Sequence, residues 1–342
     1  MVSLNNPQKL FLHAPNVHVG GGLTLLKALY SAPELSIYFE QVDTRAIQQL
    51  PPSLGERHYV RPSLFSRLAA EVRLWRRVAK DDLVLCFHGL VPLFPLKGEV
   101  VVFLQNRILL TEDSLQDYPL KTRVRLSVER LMVKRLARRV KRFIVQTPSM
   151  AVQAQSFLGP GATVVICPFV VATPASVETL QDKRFDYVYV ASADHHKNHH
   201  KLLEAWCLLA QQNVRPRLAL TVSHGSSLAM EIERLKEQWQ LNVVNFGHVS
   251  PLEVTALYDQ STALIYPSTT ESLGLPLIEA NERGLPIIAA ELDYVRDVVE
   301  PVQTFDPDSP VSIARAVKRH LRIVECPQPV HGPEVFLKEV LR

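Results

Sequence analysis

Cysteine is scarce in this chain of 342 residues, and the four present, Cys86, Cys167, Cys207 and Cys326, stand far apart in or beside apolar runs. Without close pairs there is neither a zinc-ligand spacing nor a redox dithiol, so the thiols read as buried side chains in a reducing compartment. Aromatic residues are sparse at 7%, and glycine numbers only 13 with no fixed period, which excludes collagen-like and repeat architectures. No apolar run approaches the roughly 18 residues of a membrane span. The N-terminal stretch MVSLNNPQKLFLHAPN lacks a basic region followed by an apolar core of signal-peptide length. The expected location is the cytoplasm, with at most a peripheral hold on the inner face of the cell membrane.

What is present is an ordinary globular composition, 47% hydrophobic and 21% charged. At roughly 100–200 residues per domain, the length predicts two domains, each large enough for its own core. Charge divides unevenly between them. Residues 1–180 hold 22 Lys and Arg against 13 Asp and Glu, and residues 181–342 hold 16 against 21, so the net charge of +4 conceals halves of +9 and −5. Much of the excess lies in KTRVRLSVERLMVKRLARRVKR (121–142), with ten basic residues and one acid. There Val124, Val128, Leu131, Leu136 and Val140 recur at helical spacing, which predicts a basic amphipathic helix. Such a helix either covers a sheet with a solvated charged side or faces an anionic membrane surface. No aromatic-studded basic strand or recognition motif accompanies it, so nucleic acid is not an expected partner.

Short apolar strands alternate with helical patterns along the whole chain, the signature of parallel βαβ units. Strands are expected near 9–14, 36–42, 83–88, 100–105, 142–146 and 163–166, then near 185–191, 217–222, 242–246, 262–266 and 286–290. Helices fit between them, at 22–31, 64–79, 121–139 and 148–158 in the first half. In the second half they fit at 198–211, 226–239, 251–260, 275–283 and 308–324. The polar, Pro-containing stretch near 167–184 reads as a linker. The expected fold is α/β, two Rossmann-like domains facing across a cleft, with ligands held by loops at the carboxyl ends of the strands.

Three such loops carry chemistry. In HAPNVHVGGGLTLLKALY (13–30) a strand runs through Gly20, Gly21 and Gly22 into a helix. The glycines allow close backbone approach to a phosphate at a helix N-terminus, although a tight turn alone would explain them. In VASADHHKNHHKLLEAW (190–206), Lys197 and Asn198 precede a helix, and the lysine can reach a diphosphate as a point charge. His195, His196, His199 and His200 surround it; without a Cys or acidic partner beside them they read as structural rather than as a metal site. The third loop, in YPSTTESLGLPLIEANERGLP (266–286), sets Glu271 and Glu279 around a helix start at Leu273, Gly274 and Leu275. Its free amides suit an anion, and its two carboxylates can accept hydrogen bonds from sugar hydroxyls. Glu279 is expected in the first turn of that helix.

The ESLGLPLIE stretch, with seven residues between its glutamates, resembles the signature of the retaining glycosyltransferases of family 4, which have the GT-B fold. VQTPSMAVQAQSFLG (145–159), HKNHHKLLEAW (196–206), FGHVSPLEVTALYDQSTALIYPS (246–268) and GLPIIAA (284–290) extend the resemblance over most of the chain. The enzymes it most resembles extend bacterial lipopolysaccharide or O-antigen chains. The resemblance implies that Glu279 binds the donor ribose and Glu271 the transferred sugar. The amides of Leu273, Gly274 and Leu275 hold sugar and diphosphate, Lys197 neutralises the leaving group with Asn198 beside it in the donor site, and Gly21 and Gly22 approach from the other domain. His248 and Val249 would lie near the base. It also implies a first domain over 1–168, a linker at 169–184, a nucleotide-sugar domain over 185–332, and a segment at 333–342 packing back onto the first domain.

Two positions depart from the family pattern. An arginine often found about five residues before the lysine is replaced by Ala191, Ser192 and Ala193, and a histidine often found at the end of the fourth apolar strand is replaced by Gln105, followed by Asn106 and Arg107. Gln105 keeps a hydrogen-bonding contact without a titrating charge. His88, after strand 83–88, and Asn106 are candidates for the acceptor side. No aspartate cluster of the DxD kind stands where a metal-dependent transferase needs one, so no metal and no cofactor beyond the nucleotide-diphosphate sugar substrate is expected. The acceptor would be a glycan or lipid-linked oligosaccharide, the transferred unit a hexose with mannose preferred. A GT-B-fold sugar-nucleotide epimerase and a catalytically silent glycan-assembly subunit are the rival readings.

Overall fold

The computed structural model describes residues 8–33, 35–53, 55–110, 118–169 and 183–325. Its first part runs β1 (Leu10–Ala14), α1 (Gly20–Tyr30), β2 (Phe39–Asp43), β3 (Glu56–Val60), α2 (Leu64–Arg77), β4 (Leu83–Cys86), β5 (Glu99–Phe103), α3 (Leu120–Leu136), β6 (Arg142–Val145), α4 (Pro148–Leu158) and β7 (Val164–Ile166). These strands form one parallel sheet in the order β3-β2-β1-β4-β5-β6-β7. The second part runs β8 (Phe185–Tyr189), α5 (His199–Gln211), β9 (Leu218–Leu220), α6 (Ser227–Trp239), β10 (Val243–Asn245), α7 (Pro251–Asp259), β11 (Ser261–Tyr266), α8 (Leu275–Glu282), β12 (Ile287–Ala290), α9 (Asp293–Arg296), β13 (Gln303–Phe305) and α10 (Pro310–His320). Its parallel sheet is ordered β10-β9-β8-β11-β12-β13. Two parallel-sheet α/β domains of this kind are the GT-B architecture expected from the sequence.

Local chemistry starts and stops the helices. Thr147 accepts from the amide of Met150 with Pro148 at the first turn of α4, and Gly159 closes that helix at φ 90°. Ser250 and Glu253 form a reciprocal capping box on α7, with Pro251 behind the cap. Both faces of the first sheet are covered: Leu23, Leu25 and Leu26 of α1 fill one side, and Leu74 of α2, Val133 of α3 and Met150 of α4 the other. In the second domain Trp206 of α5 is fully buried edge-on to Tyr187 at 5.7 Å, its indole N–H donating to the Pro216 carbonyl at 3.1 Å. A buried indole needs such a partner to be stabilising.

Three short elements are additions to the sequence reading: β3, β13 and α9. β3 is an edge strand whose ERHYV is polar and mostly exposed or half-buried, with only Val60 buried, so it has no apolar run to announce it. The glycines read as a loop before a helix are instead the first turn of α1, which starts at Gly20. The basic helix also packs differently from the expectation. Leu126 and Val133 of α3 are buried and Leu136 and Val140 lean on the core, whereas Val124, Val128 and Leu131 point to solvent. Of the thiols, Cys86 is buried but Cys167 is exposed; it follows the edge strand β7, which nothing described covers. Cys326, the segment 333–342 and most of the linker read at 169–184 lie outside the described residues.

In each sheet the order of connection reverses once, between β1 and β4 and between β8 and β11. Such reversals separate the loops at the carboxyl ends of adjacent strands and open a crevice for ligands. The loops after β8 and β11 are those carrying Lys197 and Glu271, the loop after β1 leads into the glycines at the start of α1, and the loop after β4 carries His88.

Candidate active site at the facing strand ends

The two loops of the second domain meet through an ion pair. Lys197 Nζ donates to Glu271 Oε1 at 2.6 Å, with the side chains only 17% and 11% exposed. The same oxygen accepts from Ser268 Oγ at 2.6 Å and from the Tyr266 hydroxyl at 3.0 Å. Lys197 is positioned by its own backbone, whose carbonyl accepts from the Tyr189 hydroxyl at 2.7 Å. Asn198 follows in the left-handed conformation at φ 58°. Its amide nitrogen donates to the carbonyls of Pro267 and Pro307 at 3.1 and 2.8 Å. Asn198 thus ties together the loops that follow β8, β11 and β13, and asparagine tolerates this backbone better than most residues.

Across the crevice two helix N-termini approach each other. A side-chain carbon built on Gly21 of α1 would stand 3.4 Å from Leu275 Cδ1, at the first residue of α8. One built on Gly22 would stand 2.9 Å from Gln105 Oε1. Leu275 leans on the core cluster of the first domain, so the domains touch where the unpaired amides of both helices lie. Gly274 caps α8 at φ 76°, a backbone costly for any residue with a side chain. Two positive dipole ends and one ammonium thus converge on a small volume.

Gln105 and His88 belong to the first-domain wall. Gln105 Nε2 donates to the Phe87 carbonyl at 2.6 Å, and His88 Nδ1 donates to the His13 carbonyl at 3.1 Å, its ring edge-on to that of His13 at 4.9 Å. Burial, with the nearby His13, pushes the His88 pKa down to about 3. Asn106 Oδ1 turns back to accept from the Ile108 amide at 3.1 Å. Glu279 stands in the second turn of α8 rather than the first, because the helix begins at Leu275. It accepts from the Tyr258 hydroxyl at 2.9 Å, and burial holds its carboxyl above the usual range.

The four histidines around Lys197 do not converge. His195 packs tilted against Tyr118 of the first domain at 5.7 Å, and the His196 carbonyl accepts from the Thr269 amide at 2.8 Å. His199 is buried against Tyr189, and His200 pairs with Glu231 at 3.1 Å. Among the described residues no three His, Cys, Asp or Glu side chains are placed to hold a metal ion.

Residues 175–326 match the family described as glycosyl transferases group 1. The second domain is a group 1 glycosyl transferase domain. The chain is 30% identical over 142 residues to the serotype-specific mannosyltransferase WbdA of Escherichia coli, a match covering 41% of this chain and 17% of that protein. It is also 30% identical over 102 residues to the O-antigen chain mannosyltransferase RfbU of Salmonella typhimurium, 29% of each chain. The chain therefore spans well under half the length of either relative. Over the whole fold it is similar to HepE of Anabaena, in complex with UDP and glucose, with TM-score 0.65, 16% identity, and 92% of this chain and 90% of that one covered. Sucrose-phosphate synthase from Thermosynechococcus elongatus superposes equally well, at TM-score 0.65 and 17% identity, over 92% and 90% of the chains.

Within the glycosyl transferase domain, His248 and Val249 lie on the loop between the edge strand β10 and α7, where His248 is exposed beside Glu253. The sequence reading missed Tyr266, Ser268 and Tyr258, the hydroxyls that hold the two glutamates, because a strand-end tyrosine carries no signal distinguishing it from core. It also passed over Arg107. That guanidinium donates to Gln153 and Ser149 at 2.7 and 3.2 Å, and with Thr269, Thr270, Asp293 and Tyr294 it borders a cavity of about 250 Å³ between the domains.

Proposed function

We propose that this protein is a retaining glycosyltransferase that moves a hexose, with mannose preferred, from a nucleotide-diphosphate sugar to a glycan or lipid-linked acceptor in bacterial surface-polysaccharide synthesis. The observation that carries this reading is the Lys197–Glu271 pair, whose glutamate stands just before α8, the helix whose first residue faces Gly21 of α1. Its support comes from the family of the second domain and from the mannosyltransferases it resembles.

Glycosyl transfer needs stabilisation of negative charge on the departing diphosphate while positive charge grows on the sugar. Lys197 and the amides at Gly274 and Leu275 supply the first. Glu271 accepts hydrogen bonds from the sugar and Glu279 from the ribose. The bond from the anomeric carbon to the phosphate oxygen breaks, the acceptor oxygen bonds that carbon from the same face, and the acceptor proton passes to the departing phosphate oxygen. Neither glutamate becomes covalently attached. Closure of the domains at Gly21 and Leu275 excludes water and suppresses hydrolysis of the donor.

The test is thermal denaturation of the purified protein with UDP- and GDP-sugars in the presence of EDTA, beside the Glu279→Ala variant. A ligand at about a hundred times its Kd adds about 2.7 kcal/mol to the folded state, which raises the melting temperature by several degrees. The expected result is such a rise for one nucleotide class, lost in the variant. The absence of a rise with every donor, or a rise that EDTA abolishes, overturns the reading as stated.

A further inference from the structure

Beyond the catalytic cleft, the first domain carries an apolar face that the fold leaves uncovered among the described residues. On α3 the inward positions are Leu126 and Val133, seven residues apart. Leu120, Val124, Val128 and Leu131 run along the opposite side at helical spacing, all at least half exposed. A core-packing role would bury this stripe. Lys121, Arg125 and Arg135 flank it, also exposed.

The neighbouring helix repeats the arrangement. On α2, Leu64 and Phe65 are 84% and 88% exposed, and Leu68 and Trp75 nearly half exposed. Both helices pack on the same face of the first sheet, through Leu74 and Val133 in one core cluster, so their outward sides turn away from it together. Arg67 of α2 lies near enough to Glu129 of α3 for their charges to interact. Large apolar and aromatic side chains interleaved with lysine and arginine are the composition of a helix that lies in the headgroup boundary of a bilayer.

We infer that the outer sides of α2 and α3 form a docking surface for an anionic lipid bilayer. Leu120, Val124, Val128 and Leu131 enter the acyl boundary with Leu64 and Phe65, and the flanking cations hold anionic headgroups. The start of α3 also fixes where the catalytic cleft sits relative to that surface. Tyr118, two residues before the helix, packs on His195 beside Lys197. The lip of the cleft therefore lies at the bilayer, where a lipid-linked acceptor is presented; this last step rests on the proposed glycosyl transfer, and the docking does not.

The experiment is co-sedimentation of the full chain with vesicles of phosphatidylcholine alone and of phosphatidylcholine with phosphatidylglycerol. Three variants are compared: Val124→Ser with Leu131→Ser, Leu64→Ser with Phe65→Ser, and Lys121→Gln with Arg125→Gln and Arg135→Gln. The wild type is expected to pellet with the anionic vesicles only. At about 1 kcal/mol per cation near the surface, the charge variant binds about a hundredfold more weakly. Each serine variant loses binding by at least tenfold and keeps the wild-type melting temperature and donor-induced shift. Wild-type protein that stays in solution with anionic vesicles overturns the inference, as does binding indifferent to the serine substitutions. A dimer in light scattering that the serine variants dissociate would also overturn it, assigning the face to a second copy. A failed donor shift with intact vesicle binding would count against the transferase reading alone.

Discussion

At the scale of single residues, the site holds carboxylates in two different states of readiness. Glu271 has three hydrogen-bond donors on one oxygen, including an ammonium. Glu279 has one neutral donor and is buried, and its pKa is raised by burial. A carboxyl whose folded pKa exceeds its unfolded one is unpenalised at low pH and costs stability once pH rises above its unfolded value of 4.5. Glu279→Gln is therefore expected to melt above the wild type at pH 7 without donor, and level with it below pH 4.5, in the same denaturation assay. A half-buried group that destabilises the empty protein is consistent with a binding role. Both glutamates, the lysine and the helix-start glycine were legible in the sequence because they sit in short loops with an unusual combination of residue types. The tyrosines that hold them were not, because Tyr258 and Tyr266 also fill the core and their hydroxyl partners are set by tertiary packing.

Among the elements, α3 tests how far a periodic pattern can be trusted. Val124, Val128 and Leu131 match helical spacing as well as Leu126 and Val133 do, and a sequence with two apolar stripes does not say which one faces the sheet. The three-dimensional neighbours decide, and burial sets the expected costs. Leu126→Ala should destabilise by about 2–5 kcal/mol, and Leu131→Ala by no more than about 0.5 kcal/mol, in chemical denaturation of each variant. Equal costs would contradict the helix's orientation. The long βαβ alternation was readable because most strands are apolar runs bounded by turn residues. β3, β13 and α9 escaped because three to five half-exposed residues give too little pattern to separate from loop.

For the molecule as a whole, each domain hides a histidine that must stay neutral. His88 in the first and His199 in the second are both driven by burial to a pKa of about 3, and among the described residues neither ring nitrogen of His199 has a hydrogen-bond partner. A histidine with a depressed folded pKa adds nothing against stability above its unfolded value of 6.5, and stability drains away as pH falls from there towards 3. Melting temperature should therefore drop between pH 7 and pH 4, and His199→Leu should flatten that decline while raising stability at neutral pH. An unchanged acid limb in this variant would show that His199 titrates normally.

Under the proposed function, the contact between Lys197 and Glu271 also bears on how spent nucleotide leaves the site. With no substrate present each ion already satisfies the other, so a bare nucleoside diphosphate must draw the ammonium away and leave Glu271 with only Ser268 and Tyr266. A free sugar must displace the ammonium with no phosphate to receive it. A donor carrying both groups exchanges both partners in one step, and the two halves of the molecule bind cooperatively. Calorimetry should find intact donor bound more tightly than its nucleoside diphosphate, with the gap narrowed in Lys197→Met. On the proposed transfer, the ions rejoin once the sugar has left and favour release of the spent nucleotide, which limits product inhibition.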